Sequence, residues 1–364
     1  MPADYIVNEI FVSANGTRNA TSKARDDVSA ICARRGFVPL DVVAHYNPNG
    51  SNGWLVKKVL VHKRVQRDWK KALAGLGAGD SLLIQFPPKE DSELLASLFD
   101  DLATRDVKVT LVVHDMETFR LAQVASQPTW RRVRRELLDR HALAAATNVI
   151  VHNTKMQERL ESLGAQGSNL IPLGLFDYLI DGYDTARMAT RRIGRNLPVI
   201  VAGNLKREKA GYLYDLPQDV DFNLFGVGYD EPNPPLNVHY LGSFDPSELP
   251  YALTGSFGLV WDGESAQTCQ GVYGEYLRIN NPHKTSLYLA SGLPVIVWSQ
   301  AAVAEVVSRE QCGLVVDNLA QLRGAIDALD GVGYDQLRHN AERMGEKLRA
   351  GHFLEEALRR ARLI

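Results

Sequence analysis

The feature that most constrains this chain is an alternation, run through twice, of short apolar segments with longer amphipathic ones. Apolar segments fall at 5–12, 37–44, 81–86, 107–113, 148–152 and 169–173. Helix-length stretches fill most of the intervals, at 20–35, 54–76, 91–104, 130–141 and 154–163. Short, largely continuous apolar runs suit strands covered on both faces, and the helices between them supply the cover. Strand, helix, strand in that order builds a parallel sheet with helices on both sides. The pattern breaks at 177–196, which is polar and irregular. It restarts at 197–202, with further apolar segments at 222–226, 237–242, 257–261, 293–298 and 313–316. A chain of 364 residues has room for two such domains. The expected organisation is α/β, with an N-terminal domain at 1–176, a linker at 177–196, a second domain at 197–345 and a terminal helix at 346–364.

Composition narrows the function classes. Net charge is −2, which gives no bias toward nucleic acid or acidic surfaces. The three cysteines, Cys32, Cys269 and Cys312, are odd in number and far apart, so they suggest neither a metal site nor a disulfide framework. A reducing cytoplasm fits. The first residues lack a basic segment followed by a signal-type apolar core. No apolar run approaches the roughly 20 residues that span a bilayer, so membrane contact is expected to be peripheral. One helix could provide it. Residues 130–141 carry Arg131, Arg132, Arg134, Arg135 and Arg140 against Glu136 and Asp139, with Trp130, Val133, Leu137 and Leu138 between them. Such a helix either presents a solvated basic face or lies on an anionic membrane.

Three places carry chemistry. The first is 274–298, which holds a helix start, a helix and a buried strand. Asn281 is a good N-cap and Pro282 suits the first helical position. Lys284 then falls in the first turn, and Gly292 ends the helix before Leu293-Pro294-Val295-Ile296-Val297-Trp298. Helix N–H groups with a lysine beside them suit a phosphate; the plainer reading is a capped structural helix with a solvated lysine. The second is Gly203-Asn204-Leu205-Lys206-Arg207-Glu208-Lys209, directly after a strand. Asn204 and Arg207 are favoured there for a pyrophosphate over Lys206 and Lys209, with an exposed basic turn as the alternative. The third is His114-Asp115, at the end of the 107–113 strand, where open α/β sheets bind ligands. Either side chain could act as general base toward a hydroxyl, or merely bond the adjoining loop. Neither G-x-G-x-x-G nor G-x-x-x-x-G-K-[ST] occurs. Asp219-Val220-Asp221 spells D-x-D but precedes a strand, and is read as a turn without metal. The loop 262–276 is flanked by Asp262 and Glu275, either of which could hold sugar hydroxyls.

The runs Tyr273-Gly274-Glu275-Tyr276-Leu277, Asn280-Asn281-Pro282-His283-Lys284 and 287–298 resemble bacterial galactofuranosyltransferases. More broadly the chain is similar to the glucosyltransferases that extend sugars on streptococcal serine-rich adhesins. The resemblance implies the GT-B fold, two Rossmann-like domains with an interdomain cleft, the C-terminal one holding a UDP-sugar. It implies UDP-galactofuranose as donor and an inverting displacement. His114 or Asp115 would take the acceptor proton. Gly16 and Thr17 in the first loop, Asn204, Arg207, Asn281, His283 and Lys284 would bind the donor. The helix start, Lys284 and Arg207 would stabilise departing UDP, so that no metal and no cofactor beyond the donor is expected. The acceptor would be a saccharide or glycolipid and the enzyme cytoplasmic, reaching the inner face of the membrane through its basic helix. The Glu-x7-Glu pattern of many retaining relatives is absent, since Ile279 and Leu287 occupy those positions. Glucosyl transfer from UDP-glucose, a sugar-binding protein without chemistry and a non-catalytic partner subunit remain as alternatives. Acceptor, linkage and homo-oligomerisation stay open, and no nucleic-acid partner is expected.

Overall fold

The computed structural model describes residues 2–11, 20–44, 54–89, 95–116, 118–119, 129–164 and 168–364. The chain divides into two compact units, the first drawn from 1–17, 28–173 and 354–364, the second from 18–27 and 174–353.

The first unit is built from β1 (Asp4–Phe11), α1 (Ala20–Arg34), β2 (Val38–Ala44), α2 (Trp54–Ala72), β3 (Ser81–Phe86), α3 (Leu95–Thr104), β4 (Lys108–Val113), α4 (Thr129–Ala145), β5 (Asn148–Val151), α5 (Thr154–Ser162) and β6 (Asn169–Pro172). Its strands form one parallel sheet in the order β2-β1-β3-β4-β5-β6. Every residue of β3 is buried, which accounts for its unbroken apolar run. The expected helix over 91–104 begins at Leu95, and 91–94 lie outside the described residues.

The second unit has the same plan. It contains α6 (Thr185–Ala189), β7 (Val199–Asn204), α7 (Arg207–Ala210), β8 (Phe222–Val227), β9 (Val238–Tyr240), α8 (Leu249–Ala252), β10 (Gly258–Val260), α9 (Gly271–Tyr276), α10 (His283–Ala290), β11 (Val295–Trp298), α11 (Val303–Glu310), β12 (Gly313–Val316), α12 (Leu322–Asp327) and α13 (Gly331–Ala350), and the chain ends in α14 (His352–Arg360), which counts mostly with the first unit. Its parallel order is β12-β11-β10-β7-β8-β9. Both halves are thus Rossmann-like sheets whose strand order reverses beside the first strand, the place where such folds take ligands.

Two helices are shared out in sequence. Residues 18–27 of the α1 region count with the second unit, where Lys23 Nζ donates to the Leu179 carbonyl at 2.7 Å and Leu179 N–H donates to Asp27 Oδ2 at 3.2 Å. Burial pushes the Asp27 carboxyl up to about 6. Residues 354–364 count with the first unit, and Asn148 Nδ2 donates to the Ala361 carbonyl at 3.4 Å. Residues 177–196 carry α6 and count with the second unit.

The core of the second unit fixes α10 against its sheet. Tyr288 is fully buried, and its hydroxyl accepts from Ala202 N–H at 2.7 Å. A Cβ at Gly258 would fall 2.1 Å from the Tyr288 ring, so only glycine lets the helix lie this close to β10. Trp261 and Trp298 pack edge to face at 6.5 Å beneath it. Burying side chains of this size stabilises by roughly 1.5–3 kcal/mol each before entropy is counted.

Candidate active site

The carboxyl edge of the second sheet is floored by glycine. Gly203, Gly226 and Gly263, at the ends of β7, β8 and β10, have φ of 128°, 146° and 111°. A Cβ on Gly226 would lie 1.8 Å from the Gly203 carbonyl oxygen, and one on Gly263 2.2 Å from that of Gln270. At Gly226 and Gly263 main chain packs on main chain and no side chain fits, while Gly203 is required by its φ alone.

Helix α10 starts at this edge, and its start differs from the expected one. Pro282, not Asn281, is the N-cap residue, and no side chain caps the first-turn N–H groups. Asn281 is 3% exposed and its Nδ2 donates to the Gly174 carbonyl. The cap position falls to a proline, whose side chain has no acceptor to offer; its carbonyl takes the Thr285 N–H at 3.0 Å. The hydroxyls of Thr285 and Ser286 are buried and have no hydrogen-bond partner. The first turn therefore has two hydroxyls in hand for a ligand and no side-chain cap.

Lys284 extends from that turn to the end of β10. Its Nζ donates to Asp262 Oδ1 at 2.7 Å and to the Trp261 carbonyl at 3.0 Å. Burial lowers the Lys284 pKa, and Asp262 opposes the shift. Lys209 Nζ stands 4.0 Å from the other carboxylate oxygen of Asp262 and 5.5 Å from the Tyr273 ring centroid. Two ammonium groups meet one carboxylate, so positive charge is in excess beside an uncapped helix start.

His283 is the first residue of α10, but it contributes no charge. Its ring hydrogen-bonds the main chain at Asp177 and packs 5.1 Å from Tyr178 and 6.3 Å from Phe176. Burial, reinforced by the Lys23 charge, pushes its pKa down to about 4, so it is neutral at pH 7. Asn204 ends β7, and its Oδ1 accepts from Lys206 N–H at 3.0 Å, closing the turn into α7. The Arg207 guanidinium lies 3.5 Å over the Tyr214 ring, which stacks on Tyr229 at 5.6 Å. The two carboxylates considered for sugar hydroxyls both have cationic partners. Asp262 pairs with Lys284, and Glu275 pairs with Arg278 Nε at 2.6 Å. Asp219 and Asp221 are exposed on either side of buried Val220, in the turn before β8.

In the first unit, His114 and Asp115 come directly after β4 at the carboxyl edge and are half-buried. His114 Nε2 lies 2.8 Å from Gln85 Oε1, and Gln85 Nε2 donates to Ser29 Oγ at 3.1 Å. Ser29 Oγ can donate as well as accept, so this chain of hydrogen bonds holds the His114 ring in place in either orientation of the amide and leaves the proton on either ring nitrogen. His152, 2% exposed at the end of β5, hydrogen-bonds the main chain at Val113 and His114, and burial pushes its pKa down to about 4. Gln85 and His152 escape sequence reasoning. The signal for Gln85 is a lone amide inside the apolar run Ser81-Leu82-Leu83-Ile84-Gln85-Phe86. Gly16 and Thr17 lie outside the described residues.

Comparison with known proteins identifies the family and the fold. The family described as glucosyltransferase 3-like matches twice, its N-terminal domain at residues 4–175 and its C-terminal domain at 199–361. The chain is 31% identical to beta-1,6-galactofuranosyltransferase WbbI of Escherichia coli (strain K12), over 97% of each chain. It is 25% identical to glucosyltransferase 3 of Streptococcus gordonii, over 92% of each. Among solved structures, sucrose-phosphate synthase from Thermosynechococcus elongatus superposes with a TM-score of 0.65 at 16% identity, covering 100% of this chain and 98% of that one. The catalytic domain of starch synthase IV from Arabidopsis thaliana gives 0.58 at 10% identity, covering 100% and 98%. The twin parallel sheets are the GT-B fold, and the chain belongs to the glucosyltransferase 3-like family of glycosyltransferases.

Proposed function

We propose that this protein transfers galactofuranose from UDP-galactofuranose to a hydroxyl of a saccharide or glycolipid acceptor, with inversion and without a metal ion. The observation that carries the donor half is the uncapped start of α10, with Lys284 and Lys209 meeting on Asp262. A diphosphate placed there gains the first-turn N–H groups and the excess positive charge, while Arg207 and Asn204 stand at the neighbouring strand end. As the bond from the anomeric carbon to the phosphate oxygen breaks, negative charge grows on UDP, and fixed cations stabilise it where other enzymes use a metal. The acceptor oxygen bonds to the anomeric carbon from the opposite side and gives its proton to the His114 imidazole. Asp115 beside it is the alternative acceptor of that proton. The 31% identity to a galactofuranosyltransferase favours the furanose donor. The 25% identity to a protein named as a glucosyltransferase supports glucosyl transfer from UDP-glucose as the second reading.

Peripheral membrane contact belongs to the same proposal. On α4, Val133 is 50% exposed and Leu137 59%, so this helix presents apolar side chains outward within its arginine-rich sequence. That arrangement suits an enzyme working on lipid-linked acceptors at the cytoplasmic face of a membrane.

The test is acceptor-dependent UDP release with UDP-galactofuranose and UDP-glucose in parallel, over a panel of glycosides and with chelator present. Release from the furanose donor that persists in chelator is the expected result. Release from UDP-glucose alone replaces the donor assignment, and loss in chelator ends the metal-free account.

A further inference from the structure

Helix α10 is also gripped at its far end. It is eight residues long, about 12 Å. At its C-terminus the carbonyls of Leu287, Tyr288 and Leu289 accept main-chain N–H groups from Ser291, Gly292 and Leu293. The next two carbonyls go to arginines from distant segments. Arg349 of α13 donates Nη1–H to Ala290 O at 2.6 Å, and Arg191 donates Nη2–H to Ser291 O at 2.6 Å.

Each arginine is itself fixed. Arg191 also donates to the carbonyls of Pro250 at 3.0 Å and Met188 at 3.2 Å. Arg349 pairs with Glu342 at 2.5 Å and lies 4.0 Å over the Tyr183 ring. Beside them α13 presses on the helix end, where a Cβ at Gly345 would come 2.4 Å from the Leu289 carbonyl oxygen. Burial lowers the Arg191 pKa to about 10, which leaves it charged at neutral pH.

We propose that Arg191 and Arg349 are positioning residues for the donor. They set where α10 sits along its axis, and so where its uncapped first turn and Lys284 stand relative to Trp261 and Asp262. The proposal rests on the reading of that first turn as the diphosphate site. The arginines bond the carbonyl end of the helix, and they act through it. A helix capped by its own side chain would hold its N-terminus locally; this one is held by the Lys284 pair, the Tyr288 bond to the sheet and the two arginines.

The experiment uses the full chain as wild type, Arg191→Ala, Arg349→Ala and Arg349→Lys. Arg323→Ala serves as control, removing an exposed arginine of α12 that pairs with Asp327 of the same helix. UDP affinity is measured by calorimetry, donor and acceptor KM by kinetics, and amide exchange along 283–292 by mass spectrometry. The alanine variants are expected to bind UDP roughly three- to tenfold more weakly. Donor KM rises in step, acceptor KM is unchanged, and exchange quickens at 283–286. Arg349→Lys keeps the charge but loses the fork that spans Ala290 and Glu342, and gives an intermediate loss. The control matches wild type. Wild-type UDP affinity in folded alanine variants, with faster exchange only at 288–292, would overturn the proposal and leave the arginines a purely stabilising role. If the alanine variants do not fold, wild-type affinity in Arg349→Lys overturns it equally. Absence of UDP binding by the wild type itself would instead remove the diphosphate reading beneath it.

Discussion

The two carboxyl edges solve different electrostatic problems with different materials. At the end of β4 the network is uncharged up to the imidazole: Ser29 and Gln85 form a chain of hydrogen bonds to His114, and His152 supports the main chain beside it. At the start of α10 the network is charged, with Lys284, Asp262 and Lys209 around an uncapped helix end. A hydrogen-bonded chain holds an imidazole in place. A charged network with a surplus cation suits an anion. On the proposed reading the first edge takes the proton and the second stabilises the leaving group, a contrast that can be broken at either edge.

The largest expected effect is at the end of β4. His114→Ala should lower kcat about 10²- to 10⁴-fold with UDP affinity unchanged, as single-turnover kinetics and calorimetry would report. Equal loss of UDP affinity would blur the division between the edges. Lys284→Ala should lower kcat/KM about 10²- to 10³-fold. It should also destabilise the fold by about 1.5–3 kcal/mol, because buried Asp262 loses its nearer cation and hydrogen bond and keeps only Lys209, 4.0 Å away. Adding Asp262→Asn should restore the melting temperature and leave the activity lost. Recovery of activity along with stability would mean that Lys284 serves the fold alone.

The third effect is on stability against pH. His152 and His283 have folded pKa values of about 4 against an ordinary 6.5. The unfolded chain therefore binds protons that the folded one refuses. Each histidine contributes stability that is complete above pH 6.5 and is lost as pH falls toward 4, about 3 kcal/mol at the acid end. Asp27 works in the opposite direction. Its folded value of about 6 lies above its ordinary 3.8, so its contribution is complete below 3.8 and disappears as pH rises through 6. With two histidines against one aspartate, the melting temperature should fall between pH 6.5 and 4. His152→Asn should flatten that fall, and an unchanged slope would show that His152 is not the buried neutral group described. The smallest effect is at Gln85. Gln85→Leu removes the amide that holds the His114 ring, and should lower kcat about tenfold while shifting its pH profile. A lower rate with an unmoved profile would reduce Gln85 to packing.

The fold is legible in the sequence because strands buried on both faces announce themselves. The run at 81–86 coincides with β3, all six residues of which are buried; the run at 313–316 coincides with β12, an edge strand whose bounds turn residues set. Sequence reasoning goes astray where distant contacts override local signals. Gly271-Val272-Tyr273-Gly274-Glu275-Tyr276 reads as loop, with two glycines and no helical stripe, yet it is α9. A Cβ on Gly274 would lie 2.5 Å from the Cys269 carbonyl carbon and 3.0 Å from the Asp262 oxygen, so the glycine that weakens the helix locally is what lets it pack. Asn281 reads as a cap because a proline and a helical stretch come directly after it, and it is instead bonded to Gly174, 107 residues earlier. Lys284 is recognisable as a site residue, but its pairing with Asp262 joins two positions that nothing local connects. Candidate residues can be read from their neighbours in sequence; the charge they retain depends on partners that only the fold supplies.

The central claim is that α10 opens onto a diphosphate held by the chain's own cations. Calorimetric titration of the wild-type protein and Lys284→Ala with UDP, in chelator, tests it most directly. The account predicts saturable binding to the wild type without metal and its loss in the variant. Binding that needs a divalent cation, or that survives Lys284→Ala unchanged, would contradict it.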